Sequence, residues 1–120
     1  MALRCLIVDD NASFLEEAAA LLRREGLLVA GIASNTREAL EQAQALRPDV
    51  ALVDISLGSE SGFDLARRLV ESDGYGLSVI LISTRAEADY ADLIDEAPVA
   101  GFVAKSELSG SAIRRLVDGA

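Results

Sequence analysis

The stretch Leu6-Ile7-Val8-Asp9-Asp10-Asn11 decides the fold: an apolar run with β-branched residues is halted by two adjacent carboxylates. A run from Leu3 to Val8 of this kind reads as a buried strand, and the acids mark where it leaves the core. Four more runs of the same character follow, at about Leu28 to Ala33, Val50 to Val53, Ser78 to Ile82 and Val99 to Ala104. They are continuous rather than alternating, which predicts burial on both faces, as in a parallel sheet. The stretches between them carry apolar residues at helical spacing: Leu15, Ala18, Ala19 and Leu22; Leu65, Ala66 and Leu69; Tyr90, Leu93, Ile94 and Ala97. Ser13 with Glu16 and Thr84 with Glu87 have capping-box spacing, and Gly26 and Pro48 stand where helices would end. The order is βαβαβαβαβα. Strands joined by helical crossovers in so short a chain predict an α/β fold, a doubly wound five-stranded parallel sheet in three layers. Such sheets collect their ligands at the carboxyl ends of the strands.

Composition bounds the function. The chain has 120 residues, enough for a single domain with a two-sided core, and a net charge of -9 repels phosphate backbones and anionic lipid alike. No nucleic-acid partner is expected for this chain alone. No apolar run approaches the ~18 residues of a membrane span, and the first meets Asp9 too early for a signal peptide, so a cytoplasmic location is expected. Cys5, the lone cysteine, sits inside a strand and reads as a small buried hydrophobe; no disulfide framework is available.

Five polar residues fall at the carboxyl ends of four strands: Asp9 and Asp10, Asp54, Ser83 and Lys105. Three carboxylates in one cleft repel by about 3 kcal/mol per pair at roughly 5 Å and an effective dielectric near ~20. Positive charge must offset this. Lys105 supplies one unit, and an all-oxygen site favours Mg²⁺ as the other source. With no histidine and one strand-bound cysteine, zinc or copper does not fit. Each residue also has a plain structural reading, as a capping turn at Asp9-Asp10 or a helix cap at Ser83. Asp54 is sharper, since it abuts four apolar strand residues, and Lys105 is the only lysine beside ten arginines. Their joint placement is what argues for a site.

Through LIVDDN, ALVDISLGSESG, VILIST and GFVAKS, in that order, the chain resembles the receiver domain of bacterial two-component response regulators over essentially its whole length. The resemblance implies a (βα)5 flavodoxin-like receiver fold, with residues 1–120 as a single receiver domain and no output domain. It implies that Asp54 is the phospho-accepting aspartate of a phosphoprotein, with Ser83 and Lys105 as its partners in self-catalysed phosphoryl transfer. Asp9 and Asp10 match the acidic pair that binds Mg²⁺, Asp10 directly and Asp9 chiefly through water, with Asp54 and the Ser56 carbonyl as further ligands. Ser83 and Phe102 match the switch pair. Drawing Ser83 to the phosphoryl group would let Phe102 turn inward and remodel the surface of the fourth helix, fifth strand and fifth helix. A sensor histidine kinase is the implied phosphodonor, with small acyl phosphates as substitutes, and an output domain or partner protein is the implied target. Acids on the fourth helix (Glu87, Asp89, Asp92, Asp95, Glu96) and Arg114 and Arg115 on the fifth suit either a homodimer across these faces or two solvated surfaces.

The chain departs from the pattern at several points. Ser106 replaces the usual proline, in a cis turn, after the lysine, which leaves a cis or a trans peptide open and allows a more mobile loop. Gly58 stands where proline is common, Thr84 replaces a small residue, and Phe102 replaces the commoner tyrosine. Residues flanking the path of a hydrolytic water match Ser56 and Arg85, with Thr84 beside them. Ser56 is too short to place a water and Arg85 can cover the approach, so slow self-dephosphorylation is expected. Two other readings stand beside this one. An aspartate-nucleophile phosphatase uses similar groups, but places its nucleophile on the first strand in a D-x-D motif, and Asp54-Ile55-Ser56 lacks the second aspartate. A pseudo-receiver would bind partners without phosphorylation, against which stands the retention of all five reactive side chains. The chain ends at Val117-Asp118-Gly119-Ala120, and a stand-alone regulator or a receiver cut from a longer transcription factor both remain open.

Overall fold

A computed structural model describes residues 3–72, 76–84 and 90–118. Five parallel strands form the central sheet: β1 (Arg4–Val8), β2 (Leu28–Ala33), β3 (Val50–Asp54), β6 (Ser78–Ser83) and β7 (Gly101–Ala104), in the order β2-β1-β3-β6-β7. A two-residue ladder, β4 (Ser56–Leu57) with β5 (Glu60–Ser61), follows β3. The helices are α1 (Ala12–Arg24), α2 (Thr36–Leu46), α3 (Gly62–Glu71), α4 (Ala91–Glu96) and α5 (Gly110–Val117).

Strand alternation sorts the core into two halves. Leu6, Val8, Ala51, Val53, Val79 and Leu81 face α2 and α3 through Ala39, Ala43, Leu65, Ala66 and Leu69. Cys5, Ile7, Val50, Leu52, Ile80 and Ile82 face α1 and α5 through Leu15, Ala18, Ala19, Leu22 and Ile113. The expected faces of the first and third helices are therefore the buried ones. Burial pushes the Cys5 thiol up to about 12, helped by the charge of Asp49 and opposed by Arg114, so it packs as a hydrophobe.

Several expectations are corrected. Helix α1 starts at Ala12 with Asn11 as its cap, the Asn11 side chain accepting from the Phe14 N–H; the Ser13/Glu16 capping box does not form. Asn is among the strongest N-caps, and Asn11 is already held at the strand end, so the helix starts two residues earlier. The other capping box, Thr84 with Glu87, lies partly outside the described residues. Gly26 does terminate α1: at φ 87° it takes the left-handed turn, and Gly26 and Leu27 donate to the Arg23 and Leu22 carbonyls in a Schellman closure. Pro48 follows α2 by two residues, after a left-handed Arg47.

Burial on both faces holds for β1, β3 and β6 but not for the outer strands, β7, where only Val103 is buried, and β2, where Leu28 is 54% and Ile32 44% exposed. The reason is topological, since β2 is the outer strand beside β1. Its register skips Ala30, and Gln42 Nε2 donates to the Ile32 carbonyl at 2.6 Å, two features that blunt an open edge. Helix α4 also differs, as none of its residues is buried. Tyr90 and Ile94 pack against the α2/α3 side of the core, and Leu93, 100° around the helix from Ile94, is left 52% exposed. No helix among the described residues is long and apolar enough to cross a membrane.

Candidate functional site

The site begins with register. Val8 pairs with Val53, so Asp9 and Asp54 emerge side by side from neighbouring strands. Alternation gives Asp54 the face of Val50 and Leu52, toward α1 and α5. Each of the two acids is then held the same way. Asp9 Oδ1 accepts from the Asn11 N–H at 2.9 Å, and Asp54 Oδ1 accepts from the Ser56 N–H at 3.2 Å. In both, the side chain folds onto the backbone two residues ahead, which aims the second oxygen elsewhere. That second oxygen meets Lys105: Nζ lies 3.2 Å from Asp54 Oδ2 and contacts Asp9 Oδ2. Lys105 leaves the end of β7 in a 3-10 turn, Lys105–Glu107, and the Lys105–Ser106 peptide is trans.

The electrostatics are tight. Asp9 is fully buried and the Asp54 side chain is 10% exposed. Burial first, and the Asp9 charge second, hold the Asp54 carboxyl above its ordinary range, against Lys105 and the Ser56 N–H. Burial alone would depress the Lys105 ammonium, but its contacts with Asp9 and Asp54 outweigh this and its pKa is raised. Asp10 is exposed, and one oxygen from each of Asp9, Asp10 and Asp54 lies within 4.8 Å of the others. Asp9 Oδ2 accepts no regular hydrogen bond among the described residues; Lys105 is its counter-charge. A crowded set of three carboxylates facing a single ammonium fits a hard divalent cation.

Ser83 ends β6 buried, at 5% exposure. Alternation puts it with Val79 and Leu81 on the α2/α3 face, where Phe102, opposite Leu81, is its diagonal neighbour. Phe102 is half-buried, and Thr84 and Ser56 are exposed. Arg85 lies outside the described residues. Asp9, Asp10, Asp54 and Lys105 are thus brought together, and Ser83 and Phe102 stand at the same edge of the sheet on the neighbouring strands β6 and β7.

Four contributors escaped the sequence reading. Asn11 links Asp9 to α1, and its place directly after the acids was the available signal. Phe14 covers the Lys105 ammonium, its ring centroid 4.3 Å from Nζ; one helical turn past Asp10, it offered only its spacing. Gly62 starts α3 against the acceptor strand, where a Cβ would stand 2.0 Å from the Asp54 carbonyl oxygen. Glu60 accepts from the Thr36 N–H at 2.8 Å and ties the loop after Asp54 to α2. Nothing local in the sequence announces either of the last two contacts.

Known proteins share this fold. Residues 5–117 match the response regulator receiver domain. The DNA-binding response regulator MtrA of Mycobacterium tuberculosis is 36% identical over 94 residues, which cover 78% of this chain and 39% of that protein. The chain spans half the length or less of the curated relatives it matches. Among solved structures, the signal receiver domain of NarL from Mycobacterium tuberculosis aligns with a TM-score of 0.84 at 27% identity, covering 99% of this chain and 98% of that one. A response regulator protein from Burkholderia pseudomallei, solved with a phosphorylated aspartic acid, calcium ion and citrate, aligns with a TM-score of 0.80 at 26% identity, covering 96% of this chain and 66% of that one. Because the match runs from β1 through α5 and includes the strand ends that build the site, the chain belongs to the receiver domains of two-component response regulators.

Proposed function

We propose that Asp54 accepts a phosphoryl group from the phosphohistidine of a sensor kinase, or from a small acyl phosphate, and that this switches the α4–β7–α5 surface. The observation that carries the reading is the Lys105 ammonium 3.2 Å from Asp54 Oδ2, beside two further carboxylates. An Asp54 oxygen attacks phosphorus, the P–N bond of phosphohistidine or the P–O bond of the acyl phosphate breaks, and imidazole or carboxylate departs. Lys105, already charged and desolvated, turns from carboxylate to phosphoryl oxygen as negative charge gathers there. Asp10, Asp54 and the Ser56 carbonyl would hold Mg²⁺, with Asp9 behind them through water. When bound, Mg²⁺ supplies positive charge to the carboxylates and the phosphoryl oxygens. The Burkholderia pseudomallei neighbour, with its phosphorylated aspartic acid and calcium ion, supports this chemistry.

Ser83 then donates its hydroxyl to the phosphoryl group, and Phe102, its diagonal neighbour, turns inward. Leu93, exposed on α4 nearby, becomes part of the surface offered to an output domain or partner protein. A homodimer across these faces belongs to the same reading, with Asp92, Asp95 and Glu96 exposed on one side and Arg115 on the other. Arg114 contributes less, because its Nη2 donates to the Glu25 carbonyl of its own chain at 2.9 Å. Hydrolysis is slow, controlled by Ser56, Thr84 and Arg85. The domain works in the cytoplasm, where a kinase can reach it.

Intact mass after incubation with Mg²⁺ and acetyl phosphate tests the reading. A gain of one phosphoryl group, mapped to Asp54 and absent from Asp54→Asn, is expected. No gain rejects it in favour of a phosphorylation-independent interaction module, and a label on another residue rejects Asp54 as the acceptor.

A further inference from the structure

We propose that Phe14 is a positioning residue for this site, its ring face holding the Lys105 ammonium where it can serve Asp54; the idea rests on the phosphoryl-transfer reading above. Lysine carries its charge on a long flexible stem with considerable rotamer entropy, so an ordered ammonium needs contacts beyond its ion pairs. Here the Lys105 side chain is only 13% exposed, and Nζ sits 4.3 Å from the Phe14 centroid. At that distance the negative face of the ring attracts the cation.

The ring is held by core packing, and the backbone that carries it by a helix cap. Phe14 is half-buried against the α1/α5 half of the core. Its N–H donates to the Asn11 side chain at 3.1 Å. Asn11 in turn donates its own N–H to Asp9 Oδ1 at 2.9 Å, so one short segment sets both the anion and the aromatic face that meet Lys105. A phenyl ring also suits the task chemically. It attracts the charge with its face and offers no lone pair, so the three N–H donors of Lys105 stay available to carboxylate and phosphoryl oxygens. A third carboxylate or a carbonyl in its place would bind those donors and compete with the incoming group.

The chain has one lysine, so its ε-methylene gives a single, assignable NMR signal. In the full chain that signal should lie upfield, shielded by the ring, in wild type and Phe14→Tyr, and return to the ordinary lysine position in Phe14→Leu. The rate of Asp54 labelling by acetyl phosphate at saturating Mg²⁺ should fall about fivefold in Phe14→Leu and be retained in Phe14→Tyr. In a Lys105→Ala background, Phe14→Leu should cause no further loss. An unshifted signal in the wild type overturns the contact. A Phe14→Leu variant that labels at the wild-type rate, or one that loses as much rate without Lys105 as with it, overturns the positioning role. A wild type that takes up no phosphoryl group rejects the phosphoryl-transfer reading and with it the role, while the shift separately judges the contact.

Discussion

Replacing Asp54 by Asn should stabilise the metal-free protein. The variant keeps the shape of the side chain, and its one amide oxygen can stay toward Lys105 while the amide nitrogen takes the place of the oxygen that accepts from the Ser56 N–H. It loses that single 3.2 Å bond and, above all, the charge. Repulsion from Asp9 and Asp10 is about 3 kcal/mol each at roughly 5 Å and an effective dielectric near ~20, and the attraction of Lys105 at 3.2 Å is about 5 kcal/mol on the same scale. The charges nearly cancel, and the burial of an ionised carboxylate is left over. A net gain of about 1–2 kcal/mol follows, or roughly 5 °C in Tm for a domain this size. The pH dependence has a definite sign. Asp54 has a raised pKa in the folded state, so the folded protein binds this proton more tightly than the unfolded chain. The stability of the protonated form is fully present below the unfolded value of ~3.9 and is lost as pH rises through the raised folded value. The advantage of Asn should therefore be negligible at the acid end of that window, grow across it, and level off above. Thermal unfolding followed by circular dichroism in EDTA, at several pH values, measures this directly. Saturating Mg²⁺ should reverse the ranking, since a ligand at 100 times its Kd adds about 2.7 kcal/mol to the form that binds it. An Asn variant less stable than wild type in EDTA at neutral pH, or a gap that does not shrink on acidification, would refute the account of a strained carboxylate cluster.

Three further outcomes are expected. Asp10→Ala should weaken Mg²⁺ binding more than Asp9→Ala, because Asp10 is exposed to the metal approach while Asp9 is buried against Lys105; metal-sensitive NMR shifts rank the two, and equal losses contradict the assignment. Gly62→Ala should cost about 3 kcal/mol, since the new methyl meets the Asp54 carbonyl and Ile55 backbone rather than a side chain that can rotate away; denaturant unfolding measures the loss, and phosphoryl labelling should fall with it. Asn11→Ala should destabilise by about 1 kcal/mol through the lost cap, a cost that Asn11→Ser should largely restore in the same unfolding assay.

Much of this protein was legible in its residues. The apolar runs ending at Val8, Val53 and Ile82 marked the central strands, because a strand buried on both faces has no polar position until it leaves the core. The acids after Val8 and Val53 were legible for the same reason, and Lys105, after the outer strand β7, was legible as the chain's one lysine. The faces of α1 and α3 followed from helical period. Tertiary structure decided the rest. Leu28 and Ile32 look as apolar as Leu52 and Ile80, and only the strand order, with β2 outermost, exposes them. Leu93 has the spacing of a buried residue, and the way α4 docks through Tyr90 and Ile94 turns it outward. Phe14 meets Lys105, and Gly62 the backbone of Asp54, across distances in sequence that no local pattern spans. Periodicity records which side of its own element a residue occupies; which element lies opposite is set by the order and docking of elements, and those appear only when the chain is folded.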